Sequence, residues 1–273
     1  MASEPPHIGK PDRPRLPPVI GHRGAAARAP ENTLAGFRRA KALGCAWVEF
    51  DVRLTADGVP VLCHDPRLDR TTDRTGQVAA QTLAAIRTSD AGSWFAPEFA
   101  GERIPTLEAA LLLCTGFDLG ANVEIKADRG GEYAIAAAVA MTLGRLGERC
   151  PRVLVSSFLP SALAAFRALA PQVPRGILFR LIPRGWEAVA VRLGCLVIGA
   201  DHRRLRPRRI KAIRDAGYEL AAYTVNDPVR ARRLFDFGVA SVFSDMPDII
   251  LAASAGRLAT RPWRGKEPFG EAA

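Results

Sequence analysis

The chain is short of lysine and histidine, and its few cysteines are not spaced for pairing. Each shortage narrows the field. There are 5 cysteines, Cys45, Cys63, Cys114, Cys150 and Cys195, and no two form a C-x-x-C pair. An odd number in apolar surroundings argues for reduced, buried thiols, as in a cytoplasmic protein, and against a cysteine zinc site. No apolar run approaches the ~20 residues of a membrane span; the richest runs only from Leu107 to Cys114. The N-terminal stretch carries Pro5, Pro6, Pro11, Pro14, Pro17 and Pro18 without an apolar core, so it does not read as a signal peptide. No G-x-G-x-x-G follows the first apolar run, which argues against a doubly wound dinucleotide-binding sheet. No H-x-H or H-E-x-x-H spacing argues for zinc.

What is present begins with a large apolar fraction, 48%, interspersed with charge over 273 residues. That is enough for a sizeable core. The net charge is +10. Nucleic acid and anionic membranes are the partners such a charge raises. However, the basic stretch from Arg203 to Arg214 has no interleaved aromatics, and Ile210 and Ile213 sit in it at helical spacing. It reads as a solvated helix face, with no nucleic-acid partner; the alternative is a patch that attracts phosphate or associates weakly with a membrane surface. Oligomeric state leaves no sequence signal.

Short apolar runs alternate with periodic segments along the chain. The predicted strands are 18–22, 46–52, 121–126, 152–156, 175–179, 195–199, 219–224 and 240–244. Helical patterns lie at 32–43, 105–115, 132–147, 160–169, 186–192, 207–216, 228–236 and 247–253. Thr106, Ser161 and Asp227 are predicted helix caps, and Pro207 and Pro228 suit a first helical turn. Eight strand–helix units predict an α/β fold, a (β/α)8 TIM barrel. The barrel is expected over 17–253, between a Pro-rich lead-in at 1–16 and a loosely held tail at 254–273. A small insertion after strand 2, about 53–104, opens with the hairpin turn Thr55-Ala56-Asp57-Gly58.

Catalytic groups of such a barrel gather at the C-terminal ends of its strands. Those ends carry His22-Arg23, Glu49 with Asp51, and Glu124 with Lys126. Alternation along a strand places Glu49 and Asp51 on one face, and Glu124 and Lys126 likewise, with Phe50 and Ile125 turned the other way. Three carboxylates in one place repel unless a cation sits among them. Oxygen ligands favour a hard divalent cation, Mg²⁺ or Ca²⁺; the bland reading is that these acids pair with the many arginines. His64 ends a second apolar run beside Asp65. His202 follows the sixth strand and could line the same cavity. Two imidazoles suit proton transfer in phosphodiester cleavage, with Arg23 and Lys126 on the phosphate.

The same residues carry a resemblance. Gly21-His22-Arg23-Gly24, Pro30-Glu31-Asn32-Thr33, Glu49-Phe50-Asp51-Val52, Thr55-Ala56-Asp57-Gly58, His64-Asp65 running into Leu68-Asp69-Arg70-Thr71-Thr72, Ile104-Pro105-Thr106-Leu107-Glu108, Val123-Glu124-Ile125-Lys126 and Thr224-Val225-Asn226 stand in one order. Together they resemble the glycerophosphodiester phosphodiesterase family, over about Pro18 to Asp248. The resemblance implies hydrolysis of small glycerophosphodiesters to sn-glycerol 3-phosphate and an alcohol. It implies one divalent cation held by Glu49, Asp51 and Glu124, with His22 and His64 as the acid–base pair. It also implies attack by a glycerol hydroxyl, through a cyclic phosphate that water opens.

Three departures bear on substrate choice. Tyr223 stands where the family has Trp, and is expected to contact substrate. The last strand reads Gly238-Val239-Ala240-Ser241-Val242-Phe243-Ser244-Asp245-Met246-Pro247 rather than the usual Gly-Val-Asp-Gly-Ile-x-Thr-Asp-x-Pro. The segment from Phe179 to Arg184 matches no expected loop. Two alternatives stand beside this reading. One is a phosphodiesterase acting on lysophospholipids at a membrane surface through Trp94, Phe95 and Phe99. The other is a non-catalytic module, which would have no use for a repulsive acid cluster.

Overall fold

The computed structural model describes residues 16–254, so the expectations for 1–15 and for the tail beyond Ser254 fall outside the described residues. From the N-terminus the elements are β1 (Val19–Gly21), α1 (Leu34–Ala42), β2 (Trp47–Leu54), β3 (Pro60–Leu62), α2 (Leu83–Ile86) and α3 (Leu107–Gly116). There follow β4 (Gly120–Ile125), α4 (Glu132–Leu146), β5 (Val153–Ser157), α5 (Pro160–Leu169), β6 (Arg175–Phe179) and α6 (Trp186–Leu193). The last are β7 (Val197–Asp201), α7 (Pro207–Asp215), β8 (Glu219–Tyr223), α8 (Pro228–Phe237), β9 (Ser241–Ser244) and α9 (Pro247–Ser254).

Eight of these strands run parallel and close on themselves. β9 pairs with β1 through Val19↔Val242, Ile20↔Phe243 and Gly21↔Ser244, and β1 meets β2 at Gly21↔Val48. The architecture is the expected (β/α)8 barrel. β3 lies antiparallel on β2, with Val52 opposite Leu62. It is the return arm of the hairpin that Thr55-Ala56-Asp57-Gly58 turns, and it opens the insertion.

Alternation sorts the side chains. Val48, Phe50 and Val52 point outward from β2 into a shell with α1, α3 and α4, where Phe50 meets Phe37 at 5.1 Å between ring centroids. A matching shell on the far side gathers Ile198, Ile210, Ile213, Leu220 and Ile250. Burying this much apolar surface is the main stabilising contribution to the fold. Inward-pointing Ile20, Trp47, Leu154, Val197, Ala221 and Phe243 fill the barrel floor. Trp47 fits because Gly120 stands opposite; a Cβ there would lie 2.1 Å from the indole. Above this plug the inward positions turn polar, and Asn122 donates to Ser156 Oγ across 3.1 Å.

Two local expectations change. Ser161 does not cap α5: Pro160 takes the first helical turn, which makes Leu159 the cap. His202 lies on a short 3₁₀ turn after β7, where its Nδ1 is 3.4 Å from Arg230 Nε. Thr106 and Asp227 cap as expected, accepting from Ala109 N and Val229 N. α7 buries Ile210 and Ile213, so the basic stretch is a helix with an apolar inner face. All five cysteines are free thiols, and no helix of the described residues is long and apolar enough to cross a membrane.

Candidate active site

The barrel register builds the acid cluster. Asp51 on β2 stands beside Glu124 on β4, and Glu49 beside Asn122 one step below. All three acids face inward and are buried, and one carboxylate oxygen from each lies within 4.8 Å of the others. Lys126 closes the group from above, with Nζ 2.5 Å from Glu124 Oε1 and 3.3 Å from Asp51 Oδ1. The ring of Phe158 lies 5.4 Å from the same ammonium.

The loop after β1 brings the cations. Gly21 is required because the chain curls back on itself: a Cβ at Gly21 would sit 2.0 Å from the Gly24 carbonyl oxygen. Gly24 has φ +93°, and Arg23 is forced into the left-handed region at φ 50°. That turn aims the Arg23 backbone N–H at Glu49 Oε2, 3.1 Å away. The Arg23 guanidinium spans Glu31 Oε1 at 2.8 Å and Asp51 Oδ2 at 3.2 Å. Asn32, at φ 57°, donates Nδ2–H to Asp51 Oδ2 at 3.0 Å and accepts from Asp51 N at 3.1 Å.

Each histidine has its own aspartate. His22 Nδ1 is 2.6 Å from Asp245 Oδ1, and His64 Nδ1 is 2.6 Å from Asp65 Oδ1. A carboxylate only accepts, so Nδ1 carries the proton in both rings and Nε2 faces the site. His22 Nε2 stands 3.8 Å from Glu49 Oε2. Asp245 is fixed in turn by Asn226 Nδ2 at 2.7 Å. Arg70 ties the insertion to the β1 loop, with Nε 2.5 Å from Asp65 Oδ2 and both Nη atoms 2.8 Å from Glu31.

The charges pull the acids apart. Burial opposes ionisation of Asp51, but Lys126 and Arg23 outweigh it and hold this carboxyl well below the usual range. Burial, with the Asp51 charge added, pushes Glu49 up to about 7 and Glu124 up to about 8. Burial works against a charged His22, yet the Asp245 bond and the Glu49 charge raise it above the ordinary value. For His64 burial prevails and lowers it. Two acids held near neutrality beside a third that is fully ionised make a site that gains from a cation. Glu49 Oε1 is buried without a hydrogen-bond partner. An orphan oxygen within an all-carboxylate donor set suits a hard divalent ion.

The structure brings together His22, Arg23, Glu49, Asp51, His64, Glu124 and Lys126. Tyr223 stands further out, its hydroxyl donating to the Phe179 carbonyl at 2.8 Å and its ring edge-on to Phe158 at 5.6 Å. His202 engages Arg230 instead of the acids. Sequence reading gave no role to Asp245 or Asn32. The signal for Asp245 lies in barrel closure: a residue just past the last strand must return beside the end of the first. For Asn32 the cue is a residue type that tolerates φ > 0 just before a helix cap.

A glycerophosphoryl diester phosphodiesterase family model matches residues 22–249. A glycerophosphodiester phosphodiesterase of Caldanaerobacter subterraneus is 33% identical over 234 residues, which are 85% of this chain and 96% of the relative. A phosphodiesterase of Oleispira antarctica, solved in complex with the product sn-glycerol-3-phosphate, superposes with a TM-score of 0.85 at 38% identity, covering 87% of this chain and 96% of that one. A glycerophosphodiester phosphodiesterase structure from Agrobacterium tumefaciens gives 0.75 at 32% identity, over 87% and 100% of the two chains. The likeness runs from His22, just past the end of β1, into α9, and this chain therefore belongs to the glycerophosphoryl diester phosphodiesterase family and is a phosphoric diester hydrolase.

Proposed function

We propose that the chain hydrolyses small glycerophosphodiesters to sn-glycerol 3-phosphate and an alcohol. In this reading Glu49, Asp51 and Glu124 hold one divalent cation, Mg²⁺ or Ca²⁺, and His22 and His64 carry the protons. The observation that bears most weight is three buried carboxylates within 4.8 Å at the barrel mouth, flanked by two imidazoles each oriented by an aspartate. The solved relative that holds sn-glycerol-3-phosphate supports the same product here.

The chain's own groups divide the work. Arg23 and Lys126 border the acid cluster and are placed to meet phosphate oxygens as charge builds on them. Lewis-acid neutralisation of the phosphate charge is what a bound cation supplies. Asp245 and Asp65 hold the Nδ1 protons, which leaves each Nε2 to exchange a proton with the attacking or the departing oxygen. Asn32 fixes Asp51 through two hydrogen bonds. Glu31 lies between Arg23 and Arg70 and, through both ion pairs, holds the loop after β1 to the hairpin.

Purified protein supplied with Mg²⁺ or Ca²⁺ should release glycerol 3-phosphate from glycerophosphocholine, glycerophosphoethanolamine or glycerophosphoinositol. No release from the whole panel with either cation would contradict the proposal.

A further inference from the structure

A cavity of about 360 Å³ opens on the same rim of the barrel, beyond Tyr223. Its wall carries Arg180, Arg203, Arg204, Arg206 and Arg209 with a single acid, Asp201. Five guanidinium groups against one carboxylate leave four positive charges in excess. Arg203 takes the Asp201 carboxylate with both prongs, at 3.0 and 2.8 Å. Among the described residues, the ion pair of Arg203 with Asp201 is the one that this wall makes.

A solvated helix face accounts for Arg208, Lys211 and Arg214, which stand outside the cavity. It does not account for arginines that converge from two loops. Arg180 follows β6, while Arg203, Arg204 and Arg206 follow β7. Both loops leave the C-terminal ends of strands, the face on which the acid cluster lies. Like charges gathered in a concave wall repel one another, and an anion entering the cavity relieves the repulsion. Guanidinium groups suit phosphate, whose oxygens accept two N–H bonds from one arginine.

A chain of contacts joins this cavity to the site. The Phe158 ring lies under Lys126, Tyr223 packs edge-on against Phe158, and the Tyr223 hydroxyl pins the carbonyl of Phe179, the residue before Arg180. In register, Tyr223 stands beside Asp201 and Phe179 beside Ala200. The hydroxyl that tryptophan lacks therefore anchors the start of the arginine loop.

We propose that the cavity receives a phosphate carried on the leaving alcohol, so that the preferred substrates are glycerophosphodiesters whose headgroup bears a second phosphate. This rests on the glycerophosphodiesterase reading above. The reaction stays a hydrolysis: the bond from phosphorus to the headgroup oxygen breaks and that oxygen gains a proton. The oxygen of water ends on glycerol 3-phosphate, and the headgroup departs with its own phosphate intact.

Glycerophosphoinositol and glycerophosphoinositol 4-phosphate differ only in that phosphate. The full chain should cleave the phosphorylated diester with a kcat/KM at least about tenfold higher, chiefly through KM. The advantage should shrink as ionic strength rises. The double variant Arg204→Ala/Arg209→Ala should lose the advantage and keep its rate on glycerophosphoinositol and its melting temperature. Equal kcat/KM for the two diesters in the natural chain overturns the proposal, as does an advantage that survives in the double variant. Failure to cleave either diester, or any other in the panel, overturns the glycerophosphodiesterase reading and this inference with it. Absence of the preference in a natural chain that cleaves both diesters overturns only this one.

Discussion

His22 and His64 reach the site by different routes but are held alike, each through Nδ1 by a carboxylate at 2.6 Å. The pair His64-Asp65 is visible in the sequence because its members are neighbours. The pair of His22 with Asp245 is not, because 223 positions separate them. Replacing either histidine with alanine should lower turnover ~100-fold or more if, as proposed, each carries a proton. Asp245→Asn keeps the shape but no longer holds the Nδ1 proton. It should lower kcat about 10- to 100-fold, as loss of such an orienting carboxylate commonly does, with KM little changed. Steady-state kinetics on the three variants check both expectations; full activity of Asp245→Asn would remove the positioning role. Tyr223 stands in the wall beside Phe158 with its hydroxyl on the Phe179 carbonyl, and its contact with substrate is part of the proposal.

At the scale of elements, most of the architecture was legible because fully buried strands leave continuous apolar runs and the intervening helices leave amphipathic spacing. Proline and aspartate at helix starts carried the rest, and the misplaced cap at Ser161 shows the limit: Pro160 competes for the first turn one residue earlier. The loop after β1 is where local conformation matters most to chemistry. Gly24→Ala would put a side chain at φ +93° and a Cβ 2.8 Å from the Gly36 backbone. It should cost more than about 1 kcal/mol of stability and displace Arg23, so the melting temperature and activity should fall together. Unchanged activity in a stable Gly24→Ala protein would show that the loop tolerates another path.

The insertion has its own anchor. Asp90 accepts backbone N–H groups from Gly92, Ser93 and Gly101 and the Ser93 hydroxyl. These bonds, the Ser93 N–H first, hold its carboxyl below the ordinary range. A carboxyl depressed in the folded state stabilises above its unfolded value, about 3.9, and loses that contribution as pH falls through the folded one. Asp90→Asn should therefore lower the melting temperature at pH 7, and the deficit should narrow below about pH 4. Melting curves at both pH values decide; a deficit that does not change with pH would mean that the charge contributes nothing.

For the whole molecule, closure of the barrel turns separate motifs into one site. β9 sets Asp245 beside β1, β2 and β4 share the acids, and the insertion delivers His64. The acids and histidines were legible because strand ends in a parallel barrel point to one rim. Contacts that depend on closure, Asp245 above all, and on a single left-handed residue, Asn32, were not, because neither leaves a periodic trace. Part of the +10 charge is concentrated on that rim, where the sequence left a solvated face and an anion-attracting patch as the two readings.

The proposed activity depends on a cation held by Glu49, Asp51 and Glu124. The most direct test is glycerol 3-phosphate release by protein stripped with a chelator, as Mg²⁺ or Ca²⁺ is titrated back into the natural chain and into Glu124→Gln. The stripped natural chain should be inactive and recover with the cation, and the variant should need about tenfold more or fail to recover. Full activity after stripping, or the same cation dependence in both proteins, would contradict it.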